Sequence, residues 1–191
     1  MGARVVIAED EAIIRLDLQE TLEEEGYEVV GSTGRGDEAV TLVRELMPDL
    51  AILDIKMPGM DGITAAKEIA AGRWAAVLIL TAFSQRDLVE QARDAGAIGY
   101  LVKPFQKSDL VPAIEVAIGR FSELRALEQE VHSLEEQLAT RRIVERAKGM
   151  LMDRHGLPES EAFSFIQQTA MRQRAKMRKV AEQIIDGSIA P

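Results

Sequence analysis

The chain has 191 residues, 47% of them apolar, no cysteine, and a net charge of −9 at neutral pH. Its length and apolar share exclude wholesale disorder and leave room for one ordinary domain plus something smaller. The lack of cysteine excludes a disulfide framework and thiolate metal sites and suits a reducing compartment. No run approaches the roughly 18 apolar residues of a membrane span. Met1-Gly2-Ala3-Arg4 leads straight into a strand-like segment rather than a signal peptide, so a cytoplasmic protein is expected.

Taken in order, Arg4 to Ala8 is a short apolar run that stops at Glu9-Asp10. A helical pattern follows, with Ile14, Leu18 and Leu22 four apart, and Gly26 is a suitable residue to end it. Glu28 to Val30 reads as a second short strand, and Asp37 as the cap of a helix running to Met47, stopped by Pro48. Leu50 to Leu53 ends at Asp54 and opens the loop Ile55-Lys56-Met57-Pro58-Gly59-Met60-Asp61-Gly62. Ile63 to Ala71 is predicted helix, Ala76 to Leu80 a strand ending at Thr81, and Gln85 to Ala95 a helix ended by Gly96. Gly99 to Val102 is a strand that stops at Lys103-Pro104, and Ser108 is the expected cap of the fifth helix.

Short apolar runs alternating with helical patterns predict buried parallel strands. The expected fold is therefore α/β: a doubly wound five-stranded parallel sheet in the flavodoxin-like strand order, filling residues 1–120. From Ser122 to Ala139 there is no Gly or Pro, and Leu124, Leu127, Val131, Leu134 and Leu138 recur at spacings of three and four. That is the pattern of a coiled-coil seam, expected to make residues 121–139 a helical linker. The segment 140–191 carries three more helical patterns. The first has Ile143, Val144, Ala147, Met150 and Leu151 on one face, the second Ala162, Phe163, Ile166 and Ala170, and the third Val180, Ala181, Ile184 and Ile185. Phe163, Met150, Leu151, Met152 and Met171 are read as core of a small all-α domain.

Sites in open parallel sheets form beyond the carboxyl ends of the strands. Four such ends here bring Glu9, Asp10, Asp54, Thr81 and Lys103 toward one pocket. Asp54 is a candidate carboxylate nucleophile able to form an acyl phosphate. Phosphoryl transfer needs charge neutralised on the equatorial oxygens. Asp10, helped by Glu9, can hold a hard cation such as Mg²⁺ beside Asp54. Lys103 would set a point charge on the incoming group, and the Thr81 hydroxyl would donate to it. No second substrate pocket is legible, so an enzyme acting on a separate substrate is not expected.

These residues, with Met57-Pro58-Gly59-Met60-Asp61-Gly62 and Lys103-Pro104-Phe105, give the stretch from Arg4 to about Arg120 a plain likeness: it resembles a two-component receiver domain. The resemblance implies Asp54 as phosphoacceptor from a sensor histidine kinase and Mg²⁺ on Glu9, Asp10, Asp54 and the Lys56 carbonyl. It also implies Thr81 and Tyr100 as a switch pair and a cis Lys103–Pro104 peptide.

The charge is uneven. Residues 1–139 carry −13, whereas residues 140–179 carry 10 basic and 4 acidic side chains, a balance of +6. A basic helical tail suggests a polyanion partner. Ile143-Val144-Glu145-Arg146-Ala147-Lys148-Gly149-Met150-Leu151-Met152, Ala162-Phe163 and Arg178-Lys179-Val180-Ala181-Glu182-Gln183-Ile184-Ile185 make the tail resemble an ANTAR antiterminator domain, a family that binds RNA. The candidate contacts are Lys148, Arg154, Arg172, Arg174, Lys176, Arg178 and Lys179. With Phe163 assigned to the core, arginine planes are the expected stacking partners for RNA bases.

The combined expectation is a response regulator whose phosphorylation on Asp54 drives homodimerisation and binding of RNA hairpins in transcription antitermination. The alternative is a DNA-binding regulator with a helix-turn-helix tail. Against it, the sequence shows no clear recognition helix after a tight turn. His132 is expected to be a solvated linker residue.

Overall fold

The computed structural model describes residues 2–82 and 86–191, with the side chain of Arg86 outside the description. Five strands, β1 (Arg4–Ala8), β2 (Glu28–Thr33), β3 (Leu50–Asp54), β4 (Ala76–Thr81) and β5 (Gly99–Val102), alternate with α1 (Ala12–Glu24), α2 (Gly36–Leu46), α3 (Gly62–Gly72) and α4 (Arg86–Asp94). All strand pairs are parallel, in the order β2-β1-β3-β4-β5. The expected start of the fourth helix at Gln85 lies outside the described residues.

Every residue of β3 and β4 is buried, which is why these strands read as unbroken apolar runs rather than alternating ones. The period of two still sorts their side chains. Val5, Ile7, Leu50, Ile52, Leu78 and Leu80 form one core with Leu18 and Leu22 of α1 and with Leu110 and Ile114. Val6, Ala8, Ala51, Leu53, Val77 and Ile79 form the other, against α2, α3 and α4.

Three boundary expectations need correction. Asp37 does not cap α2: Arg35 occupies the cap position, and Asp37 lies in the first turn, ion-paired with the Arg35 guanidinium at 2.8 Å. Ser108 does not cap the fifth helix. That helix starts at Lys107, and Asp109 reaches back to accept the Gln106 N–H at 3.0 Å. β2 runs to Thr33, beyond Val30, because Gly31, Ser32 and Thr33 pair with Val6, Ile7 and Ala8 after a shift in register. Sheet pairing there outweighs the low strand propensity of Gly and Ser.

The chain divides into two compact units at Arg125/Ala126. The last helix of the first unit, α5 (Lys107–His155), runs without a break through positions 120 and 139. In the second unit it is followed by α6 (Glu159–Gln173) and α7 (Met177–Ile185). Val144, Ala147 and Leu151 of α5 pack with Ala162, Ile166 and Ala170 of α6 and with Val180, Ala181 and Ile184 of α7.

The core assignment of Phe163 is overturned: it is 42% exposed, and Phe165 packs against the cluster instead. Met152 and Met171 are exposed as well, while Leu151 is buried and Met150 partly so. The cause is helical phase. Ala162, Ile166, Thr169 and Ala170 are the buried residues of α6, and Phe163 sits ~100° round the helix from Ala162.

The objection to a helix-turn-helix tail also falls, since only Arg174-Ala175-Lys176 separate α6 from α7. On α5, Leu124, Leu127, Val131, Leu134 and Leu138 are all exposed, at 52–58%. His132 is exposed, 3.8 Å from Glu136. Among the described residues no helix is long and apolar enough to cross a membrane.

Candidate functional site

The strand order reverses at β1, so the crevice between the ends of β1 and β3 is the switch point of the sheet. Glu9 and Asp10 follow β1, Asp54 closes β3, Thr81 closes β4, and Lys103 follows β5. One carboxylate oxygen from each of Glu9, Asp10 and Asp54 lies within 4.8 Å of the others. Lys103 Nζ donates to Asp54 Oδ1 at 2.8 Å and also to Glu9 Oε2. The second Asp54 oxygen, Oδ2, accepts the Lys56 N–H at 2.9 Å.

The backbone fixes these groups. The Lys103 N–H donates to the Thr81 carbonyl at 2.7 Å, and the Lys103–Pro104 peptide is cis. Beyond Asp54, the Ile55 N–H donates to Leu80 O at 3.2 Å, and the Gly62 N–H donates back to Ile55 O at 2.8 Å, closing the loop. Asp61 then caps α3 by accepting the Thr64 N–H at 2.9 Å.

Gly62 is required by close approach, because a Cβ there would fall inside the van der Waals radius of the Asp54 carbonyl oxygen. Gly62→Ala is expected to cost about 1–3 kcal/mol through overpacking. Urea denaturation reads this as a lower midpoint, and an unchanged midpoint would mean the loop yields freely.

Glu9 is fully buried, and burial, assisted by the neighbouring Asp54, pushes its carboxyl above the ordinary range despite the opposing bond from Lys103. Burial alone would lower the Lys103 ammonium. Its hydrogen bonds to Asp54 and Glu9 outweigh that and hold it above the usual lysine value. Lys103 is thus a captive cation, charged because two acids surround it. Asp10 is exposed at the mouth of the cluster, Thr81 is buried, and Tyr100 is 47% exposed.

In the second unit, Arg154, Arg172, Arg174, Lys176 and Lys179 are exposed and, among the described residues, make no ion pair. Arg178 bonds Glu182 at 2.9 Å. Lys148 differs: it sits between Glu159 at 2.7 Å and Glu145 at 2.9 Å, its side chain only 12% exposed. Hydrogen bonds first to Glu159 and then to Glu145 raise its pKa. Its charge ties α5 to α6 rather than facing solvent.

Compared with known proteins, residues 5–115 match the response regulator receiver domain and residues 132–185 the ANTAR domain. A transcriptional regulatory protein, PdtaR of Mycobacterium tuberculosis, is 60% identical over 183 residues, covering 96% of this chain and 89% of its own. The chain belongs to the response-regulator family. Solved receivers agree on the first unit. That of a putative response regulator, NarL of M. tuberculosis, aligns with TM-score 0.60 and 32% identity, over 62% of this chain and 97% of its own. The receiver of the sensor histidine kinase PA1611 from Pseudomonas aeruginosa aligns with TM-score 0.57 and 29% identity, over 62% of this chain and 99% of its own. In that structure magnesium is coordinated in the active-site cleft.

Sequence reasoning passed over several residues in this response regulator. The Arg15 guanidinium, on α1, donates to the backbone carbonyls of Glu9 and Asp10, bracing the turn that carries both acids. Its signal was an arginine in the first turn of the helix that follows the acid pair. Arg141, Arg142 and Arg146 on α5 are exposed and free of ion pairs among the described residues. Arg141 and Arg142 adjoin the ANTAR motif and Arg146 lies within it, but all three stand outside the dense basic stretch from Arg172 to Lys179.

Proposed function

We propose that Asp54 takes a phosphoryl group from the phosphohistidine of a sensor kinase, and that the phosphorylated protein dimerises and binds RNA hairpins in transcription antitermination. The observation that carries this reading is the meeting of Asp54 with Lys103 inside a cluster of three carboxylates. An Asp54 oxygen attacks phosphorus, the new O–P bond forms as the donor's P–N bond breaks, and the imidazole departs with the bond's electron pair. The three carboxylate donors suit a hard ion, so Glu9, Asp10 and Asp54 are the residues that would hold Mg²⁺, and the likeness to receiver domains adds the Lys56 carbonyl. Bound there, the ion supplies charge neutralisation for the transferring group.

Lys103 then exchanges its bond to Asp54 for one to a phosphoryl oxygen, and the Thr81 hydroxyl donates to another. Movement of Thr81 draws the exposed Tyr100 ring inward, a shift of population toward the active surface of α4 and β5. Dimerisation through residues 121–139 covers the apolar stripe Leu127, Val131, Leu134 and Leu138, and two basic units on one RNA gain avidity. Arg154, Arg172, Arg174, Lys176, Arg178 and Lys179 supply the salt-dependent attraction to phosphate. Lys148, held by two carboxylates, acts as a brace for that surface.

One observation favours a second reading. The three-residue turn between α6 and α7, with Arg178 and Lys179 in the first turn of α7, has the connection length of a helix-turn-helix. Gel shifts at matched salt decide between hairpin RNA and duplex DNA. With a small phosphodonor and Mg²⁺, the wild type is expected to sediment as a dimer and to shift hairpin RNA preferentially. Leu127→Lys/Leu134→Lys should remain monomeric and bind more weakly. Equal RNA binding with and without phosphodonor would sink the coupling, and preference for duplex DNA would sink the antitermination reading.

A further inference from the structure

In the second unit, α5, α6 and the start of α7 border a groove of about 490 Å³. Its apolar wall is the exposed ring of Phe163, with Val144 and Met177, and its polar wall carries Gln137, Thr140 and Arg141. We propose that this groove seats one unstacked base of a bound RNA, laid against the Phe163 ring. The proposal rests on the reading above that the second unit binds RNA, and it names the subsite that reading lacks.

Four features argue for a base rather than another occupant. An aromatic ring left on the surface of a small domain whose core is short of large side chains is a stacking platform, and every base offers it a π face. The groove is not a phosphate site, since Glu136 and Glu145 stand on its rim. Glu145 is answered by Lys148, whereas Glu136, whose one ion-pair neighbour among the described residues is His132 at 3.8 Å, keeps carboxylate oxygens able to accept from the exocyclic amine of a base. Phosphate-binding charge lies just outside: Arg141 on one wall, and Lys176 at the N-terminal cap of α7, next to the Met177 that lines the groove. A groove that takes the base while its surroundings take the backbone is the division of labour that single-stranded RNA recognition requires.

The test uses the full-length protein and two probes of equal stem: a hairpin RNA with a randomised loop, and the same stem as a blunt duplex. Affinities at low salt are measured by fluorescence anisotropy for the wild type, Phe163→Ala, Phe163→Leu, which keeps an apolar side chain without a ring, and Phe163→Tyr. The expected result is that the wild type prefers the looped RNA. Both ring-less variants should lose that preference, with looped affinity down ~5- to 100-fold, the worth of one base stack. Duplex binding should stay unchanged, and Phe163→Tyr should restore the loop preference. If Phe163→Ala or Phe163→Leu keeps the wild-type preference for the loop, the base subsite is overturned while RNA binding stands. Equal loss on loop and duplex also overturns it, as does a change in self-association alone, which would assign the groove to a second copy of the chain. Failure of the wild type to bind either RNA removes the reading on which the subsite rests.

Discussion

Asp54→Asn is expected to abolish phosphoryl uptake from a small acyl-phosphate donor, read by intact-mass spectrometry as the absence of a singly phosphorylated species at any time. An amide lacks the lone-pair charge of a carboxylate, so the attacking atom is gone while the side-chain shape is kept. The substitution also tests how the site is held. Both Asp54 oxygens accept bonds, one from Lys103 at 2.8 Å and one from the Lys56 N–H at 2.9 Å. An amide can accept only through its single oxygen, so one of the two donors must face an NH₂ group. That mismatch costs about 1–3 kcal/mol. A singly phosphorylated Asp54→Asn protein, with the mark mapped to Asp10 or Asp61, would reassign the acceptor.

Lys103→Ala is the second large effect, and its direction follows from burial. The Lys103 side chain and the Glu9 and Asp54 carboxylates are largely withdrawn from water. Removing the cation leaves two buried acids facing one another, and breaking such a pair from one side costs about 3–5 kcal/mol. The urea midpoint should fall accordingly. Phosphorylation should slow as well, because the point charge meant for the transferring group is missing. Mg²⁺ should recover part of the lost stability, since an ion that binds the folded state alone stabilises it by mass action. A Lys103→Ala protein with wild-type stability and wild-type phosphorylation would mean that the ion pairs contribute nothing to either.

Much of the first unit was legible because its signals are local. Each strand is a short apolar run between breakers, and each polar group of the cluster stands directly after one: Glu9 and Asp10 after Ala8, Asp54 after Leu53, Thr81 after Leu80, Lys103 after Val102. Once the runs are parallel strands, their ends share one edge, and the inventory of the pocket follows without coordinates. Where local rules competed, they failed. Asp37, Ser108 and Asp61 are all acceptable caps by residue type, and of these only Asp61 occupies the cap position of its helix, where it accepts the Thr64 N–H. The capping side chain must reach a particular N–H, and tertiary packing sets where each helix begins.

The second unit shows the same division more sharply. Its basic character, the apolar stripe on α5 and the three helical patterns are properties of composition and spacing, and the sequence alone determined them. Which of two phenylalanines faces solvent is a question of helical phase against two neighbouring helices. Phe163 and Phe165 lie two residues apart, ~200° round the helix, so the phase of α6 decides which of them meets the core. Whether a lysine is free or taken depends on which carboxylates come near it, and Glu159, which holds Lys148, arrives from another helix. The kinds of group in each site, and their order along the chain, were fixed by local pattern. Which of them meet, which are neutralised and which remain open to a partner were decided by packing, because those are distances between segments that local pattern does not carry.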